Sequence, residues 1–102
     1  MDKRKALNSY TIAADRGQAN AQYNIGVMYS NGADGVEVDR KKALKYYTMA
    51  ADQGHAVAQF SLGVLYYNGQ DVEQDVGKAL RLWELAAKQG HQRAQEELAR
   101  HR

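Results

Sequence analysis

The sequence contains no cysteine and no proline, and only one tryptophan and one phenylalanine among 102 residues. Without cysteine, disulfide bridges and thiolate metal sites are excluded. Without proline, the commonest helix breaker is missing, against an average use of about 5%. No apolar stretch approaches the roughly 18–20 residues of a membrane-spanning helix. The opening Met1-Asp2-Lys3-Arg4-Lys5 leads into no apolar signal core of about 7–15 residues. A cytoplasmic protein with no membrane contact is expected. An excess of one charge is missing too. Fourteen basic residues against twelve acidic ones leave a net charge of +2, too little to argue for nucleic acid on electrostatic grounds. A hydrophobic content of 44% and a charged content of 25% are ordinary for a globular chain. One domain, 1–102, with a modest core is expected.

What is present is an internal repeat. Ala6-Leu7, Ala43-Leu44 and Ala79-Leu80 recur at spacings of 37 and 36. Ala13-Ala14, Ala50-Ala51 and Ala86-Ala87 follow the same register, as do Gly17, Gly54 and Gly90. Ala21-Gln22 returns as Ala58-Gln59 and Ala94-Gln95, and Gly26, Tyr29 and Asn31-Gly32 return as Gly63, Tyr66 and Asn68-Gly69. The one-residue difference falls where Ala33-Asp34-Gly35 faces the shorter Gln70-Asp71. An insertion confined to a loop is what repeated structural units predict.

Each unit reads as two helices. The longer opens at Asp39 or Asp75, whose carboxylates suit the free N–H groups of a first turn, and Asp2 holds the same place near the start. Ala43, Leu44, Tyr47, Ala50 and Ala51 form its apolar stripe at helical spacing, and Gly54 supplies a left-handed stop. The shorter helix carries Ala21, Ile25 and Tyr29 on one face and closes at Asn31-Gly32. In order, helices are expected at about 2–16, 19–31, 39–53, 56–68, 75–89 and 92–101. The predicted architecture is all-α: a right-handed superhelical α/α solenoid of about two and a half helix-turn-helix repeats, six helices in all. Because an isolated pair could not bury its stripe, neighbouring pairs must stack.

The run Ala21-Gln22-Tyr23-Asn24-Ile25-Gly26-Val27-Met28-Tyr29-Ser30-Asn31-Gly32 resembles the first helix of Sel-1-like repeats. Asp39 to Gly54, with Lys42-Ala43-Leu44, Tyr47 and Ala50-Ala51, resembles their second helix. These are relatives of the tetratricopeptide class, whose period is about 34 residues; the longer period here fits the Sel-1-like branch. Some members are secreted and disulfide-stapled, and this chain, lacking cysteine, is not of that kind. The resemblance implies scaffolding and adaptor roles in protein complexes, with no partner named. The pattern departs at both ends. Glu96, Ala99 and Arg100 stand where Tyr23, Gly26 and Val27 stood, and Ser9 stands where Tyr46 and Leu82 stand. Smaller or more polar outer faces suit terminal caps, so the chain is expected to be complete rather than a slice of a longer array.

At about 100° per residue, the face of the first helices opposite Ile25 carries Asn20, Tyr23, Val27 and Ser30, with Asn31 at its edge. The next unit offers Val57, Phe60, Val64, Tyr67 and Asn68, and the third Arg93, Glu96 and Arg100. In tetratricopeptide-like solenoids, which this chain resembles, that face lines the concave groove. A partner protein or peptide segment is expected there, since aromatic residues and Arg are favoured at binding hot spots. Tyr23 and Phe60 could equally pack between helices; Val64 and Tyr67 are the better candidates for exposure.

No catalytic, metal or cofactor site is expected. His55 and His91 both follow a helix-ending glycine, so they are equivalent turn residues, while His101 stands near a frayed end. Asp34, Glu37, Asp71 and Glu73 make an acidic rim, and Asp71 to Asp75 lacks the glycine and distal Glu of a calcium loop. Lys3-Arg4-Lys5 and Arg40-Lys41-Lys42 read as solvated surface charge. Neither a phosphate-cradling loop ending in Lys-Ser/Thr nor a Gly-x-Ser-x-Gly elbow occurs. An adaptor is the leading expectation. A single-stranded RNA-binding repeat comes second, weakened by the low charge and few units. A hydrolase comes third, and homodimerisation through the end helices is a further alternative.

Overall fold

Four of the five helices among the described residues start at a side chain that accepts a hydrogen bond from the first turn. The computed structural model describes residues 17–32 and 35–101. Within them run α1 (Ala19–Asn31), α2 (Arg40–Asp52), α3 (Ala56–Asn68), α4 (Val76–Lys88) and α5 (Gln92–Arg100). The helix expected at about 2–16 lies outside the described residues, and the other five expected helices fall within them. The predicted difference in length within a pair is corrected: α1 to α4 each have 13 residues. The flanking Asp39, Gln53, Asp75 and Gln89 are caps rather than helical residues.

Asp39 and Asp75 begin α2 and α4 by accepting the N–H groups of Lys42 and Lys78 at 3.1 and 2.9 Å. Gly54 and Gly90 end the same segments at φ 86° and 89°. The N–H of Gly54 reaches the Ala51 carbonyl at 2.9 Å and that of His55 the Ala50 carbonyl at 3.1 Å; Gly90 and His91 repeat both bonds. This pairing satisfies carbonyls that a helix end otherwise leaves free.

Each helix packs on its neighbours in the chain, most extensively α1 on α2 and α3 on α4 within the pairs, then α2 on α3 and α4 on α5. That is stacking along an axis, and the molecule measures 44 × 24 × 20 Å. Small residues form the seams. Ala43, Ala50, Ala51 and Ala58 are buried with Tyr47 and Leu62, and Ala86 and Ala94 are buried with Trp83 and Leu98. Two glycines let large rings into the helix pairs: a Cβ on Gly26 would stand 2.8 Å from the Tyr47 ring, and one on Gly63 2.5 Å from Trp83 Nε1.

A polar spine crosses this small-residue core. Gln22 and Gln59 are 2% and 4% exposed. Gln59 Nε2 donates to the Ala51 carbonyl at 3.3 Å, back into the preceding unit, while its Oε1 accepts from Gln89 Nε2 at 2.9 Å, at the end of α4 in its own unit. Gln53 donates to Gln22 in the same way, and Gln95 reaches the Ala87 carbonyl at 3.0 Å. Buried amides are costly unless paired, and among the described residues no buried side-chain polar atom lacks a partner.

Candidate partner-binding cleft

The outer faces of α1, α3 and α5 meet the rings that rise from α2 and α4. Tyr23 lies half-buried on α1, its ring 5.6 Å from Tyr47 and stacked on His55 at 5.1 Å. One repeat later, Phe60 lies 6.2 Å from Trp83 and stacks on His91 at 4.8 Å. Trp83 Nε1 donates to the Phe60 carbonyl at 3.2 Å, which fixes the indole beneath α3. His55 and His91 cap α3 and α5: their Nδ1 atoms accept the N–H groups of Ala58 and Ala94 at 3.1 and 3.2 Å. The two histidines are structural turn residues at equivalent places. His101, expected near a frayed end, has its ring 4.9 Å from Tyr67 and 5.8 Å from Trp83.

Between these rings opens a cleft of about 570 Å³. Its floor is Tyr47, Phe60, Val64, Leu65, Tyr67 and Trp83, and its rim is Ser30, Ser61, Asn68, Gln70, Arg93 and Glu97. Burial pushes the Tyr47 phenol above its ordinary value of 10.0, with a hydrogen bond from Ser30 acting the other way. The phenol thus stays neutral at physiological pH and presents a hydrogen-bonding group to the cleft. Arg93 lies over the Phe60 ring at 5.8 Å, an arrangement in which the guanidinium is held by the ring face. Glu97 is paired with Arg100 at 3.3 Å and lies 3.8 Å from the imidazole of His101.

Six of the thirteen residues predicted for a partner face converge in this cleft: Ser30, Phe60, Val64, Tyr67, Asn68 and Arg93. The others stand apart. Asn20 is exposed and pairs with His55 Nε2 at 2.7 Å, and Tyr23 and Val27 pack on the Tyr47 cluster. Asn31 and Val57 are exposed at the ends of their helices. Glu96 accepts from Gln92 at 3.3 Å, and Arg100 belongs to the Glu97 pair. Val64 and Tyr67, the stronger candidates for exposure, are half-buried because both lie down on the Trp83 cluster. Tyr47, Trp83 and Glu97 line the cleft although their sequence positions mark two of them as core fillers. An aromatic tall enough to cross its helix pair reaches the far surface, and helical spacing cannot register that reach.

Elsewhere, two smaller recesses repeat each other. Lys42 lies over Tyr29 at 5.2 Å, and Lys78 over Tyr66 at 4.4 Å. Arg40 pairs with Asp71 across units at 3.5 Å. Asp34, the other end of the expected acidic rim, lies outside the described residues. Among the described residues no group of three or more His, Cys, Asp or Glu is placed to hold a metal ion. No helix among them is long and apolar enough to cross a membrane.

Helix pairs of one sequence period, stacked with capped turns and a small-residue seam, define a tetratricopeptide-like repeat protein. The Sel1 repeat model matches twice, over residues 19–55 and 56–91. The chain belongs to the Sel1 repeat family. Its structure is similar to a Sel1 repeat protein from Oxalobacter formigenes, with 34% identity and a TM-score of 0.87, covering 91% of this chain and 38% of that one. It is similar to c5321, a protective antigen of uropathogenic Escherichia coli strains with an SLR fold, at 34% identity and a TM-score of 0.85. That match covers 90% of this chain and 20% of that one. Cysteine-rich protein B of Helicobacter pylori gives 26% identity and a TM-score of 0.90 over 96% of this chain and 73% of its own. The chain thus spans well under half the length of the first two. Comparison with curated protein sequences gives no match.

Proposed function

We propose that this chain is a non-catalytic adaptor that holds a segment of a partner protein in the cleft between α1, α3 and α5. Sel1 repeats are in general protein-interaction modules, and the family match supports the class of function. The observation that carries the finer reading is the cleft itself. An aromatic floor of Phe60, Tyr67 and Trp83 lies beside Ser61, Asn68 and Arg93, which can fix a peptide backbone or side chain. An apolar and aromatic centre inside a polar rim is the usual anatomy of a binding patch.

Selection of peptides from a displayed library against the whole chain tests this, followed by fluorescence titration. Ser61→Arg, which fills the cleft, and Arg93→Glu, which reverses its rim charge, are each expected to weaken a selected peptide about tenfold or more, a loss of about 1.4 kcal/mol. Arg93 is exposed and Ser61 half-buried, so the melting temperature of each variant is measured beside its affinity, and a peptide loss without a melting loss assigns the effect to the cleft. Peptides that bind both variants unchanged would place the interaction elsewhere. Tight, salt-sensitive capture of single-stranded RNA in the same assay would replace the protein-binding reading.

A further inference from the structure

His55 joins α2, α3 and α1 at one point. Its backbone N–H closes the end of α2 on the Ala50 carbonyl at 3.1 Å, and its Nδ1 opens α3 by accepting the Ala58 N–H at 3.1 Å. Its ring stacks on Tyr23 of α1 at 5.1 Å with planes 21° apart, and its Nε2 stands 2.7 Å from Asn20 Oδ1. Together these bonds fix the tautomer. Nδ1 must keep its lone pair, so the single ring proton sits on Nε2 and is donated to Asn20.

A second proton has one place to go. On Nδ1 it would set an N–H against the Ala58 N–H, and it would put positive charge at the start of α3, where the helix dipole opposes it. The groups that face the ring from α1 are an amide, Asn20, and a phenol, Tyr23; from α3 it is a backbone N–H. None balances an imidazolium. Among the described residues no carboxylate forms an ion pair with His55.

We propose that His55 is a proton-sensitive latch between the two repeats: neutral, it clamps the start of α3 to α1, and protonated, it releases the cap. Burial adds to this by holding the imidazole below its ordinary value of 6.5. The sign follows from linkage. The folded chain resists a proton that the unfolded chain accepts, so the contribution is complete above 6.5 and is lost as pH falls below that value.

The test compares the melting temperature of the full chain at pH 7.5 and 5.5 with that of His55→Asn. Asparagine is among the best N-cap residues and does not titrate in this range. The wild-type chain is expected to lose about 4–8 °C more than His55→Asn between the two pH values, the shift that one cap represents in a domain of this size. His91 and His101 are present in both proteins, so they cancel in the difference. Equal losses in the two proteins would overturn the latch. Nitrogen-detected NMR of the wild-type imidazole gives a second measurement that needs no variant. The Nε2–H tautomer with a titration midpoint below 6.5 is expected; an Nδ1–H tautomer, or a midpoint at or above that value, would also overturn it.

Discussion

At the first repeat junction His55 stacks on Tyr23 and donates to Asn20; at the second His91 stacks on Phe60, and Val57 holds the position of Asn20. The backbone is the same at both, with a left-handed glycine, two closing bonds at the helix end and an imidazole cap on the next helix. The side chains differ in size and polarity. Around the first stand two phenols, Tyr47 buried and Tyr23 half-buried. Around the second, Trp83 and Phe60 replace both phenols, and the indole sends its one donor into the Phe60 carbonyl. The backbone signals thus fix the repeat, while the ring pair sets how apolar the surface between repeats becomes. The cleft floor is richest in carbon where Trp83 and Phe60 meet.

This contrast can be broken most strongly at the two large rings. Trp83→Ala is expected to cost about 3–5 kcal/mol, because the side chain is 2% exposed and touches both α3 and α5 clusters. Tyr47→Ala removes a smaller ring, 8% exposed, and its cost should be lower. Urea denaturation followed by circular dichroism gives both values, and equal losses would show that the junctions are energetically alike. The glycines beneath the rings come next. Gly63→Ala drives a methyl to 2.5 Å from Trp83 Nε1 and 3.2 Å from the Ala79 carbonyl, an overpacking cost of about 1–3 kcal/mol. Gly26→Ala meets Tyr47 at 2.8 Å and should cost less by the same measurement. The smallest effect sharpens the comparison by converting one junction into the other. Val57→Asn gives His91 the amide that His55 already has, and a gain of about 0.5–1 kcal/mol in thermal unfolding is expected from one net hydrogen bond. A loss there would mean that the second junction depends on its apolar edge.

Much of the fold was legible because its signals are local. The spans expected at 19–31 and 56–68 coincide with α1 and α3, and Asp39, Asp75, Gly54 and Gly90 marked helix ends with residues whose chemistry suits those ends. The imidazole caps were not legible as caps, since histidine is outside the group of ordinary N-cap residues; only their recurrence pointed to a local task. Gln59 was equally opaque. An amide in an alanine stripe reads as surface, and its burial depends on a carbonyl eight positions earlier and an amide 30 positions later. The lining of the cleft was half legible. Helical spacing placed Phe60, Val64 and Tyr67 on one side, but how far each leans onto Trp83 follows from the size of a ring on another helix.

The glutamine spine bears on how such a chain can change its length over generations. Gln59 spends one atom on the unit behind it and the other on the closing turn of its own unit. Duplication of a whole 36-residue unit would therefore give the newcomer both partners, a carbonyl in its predecessor and an amide at its own end, at the spacing already in use. Insertion of half a unit would strand an amide in an alanine seam with nothing to meet. Copy number can drift freely in this architecture, whereas the phase of the repeat cannot.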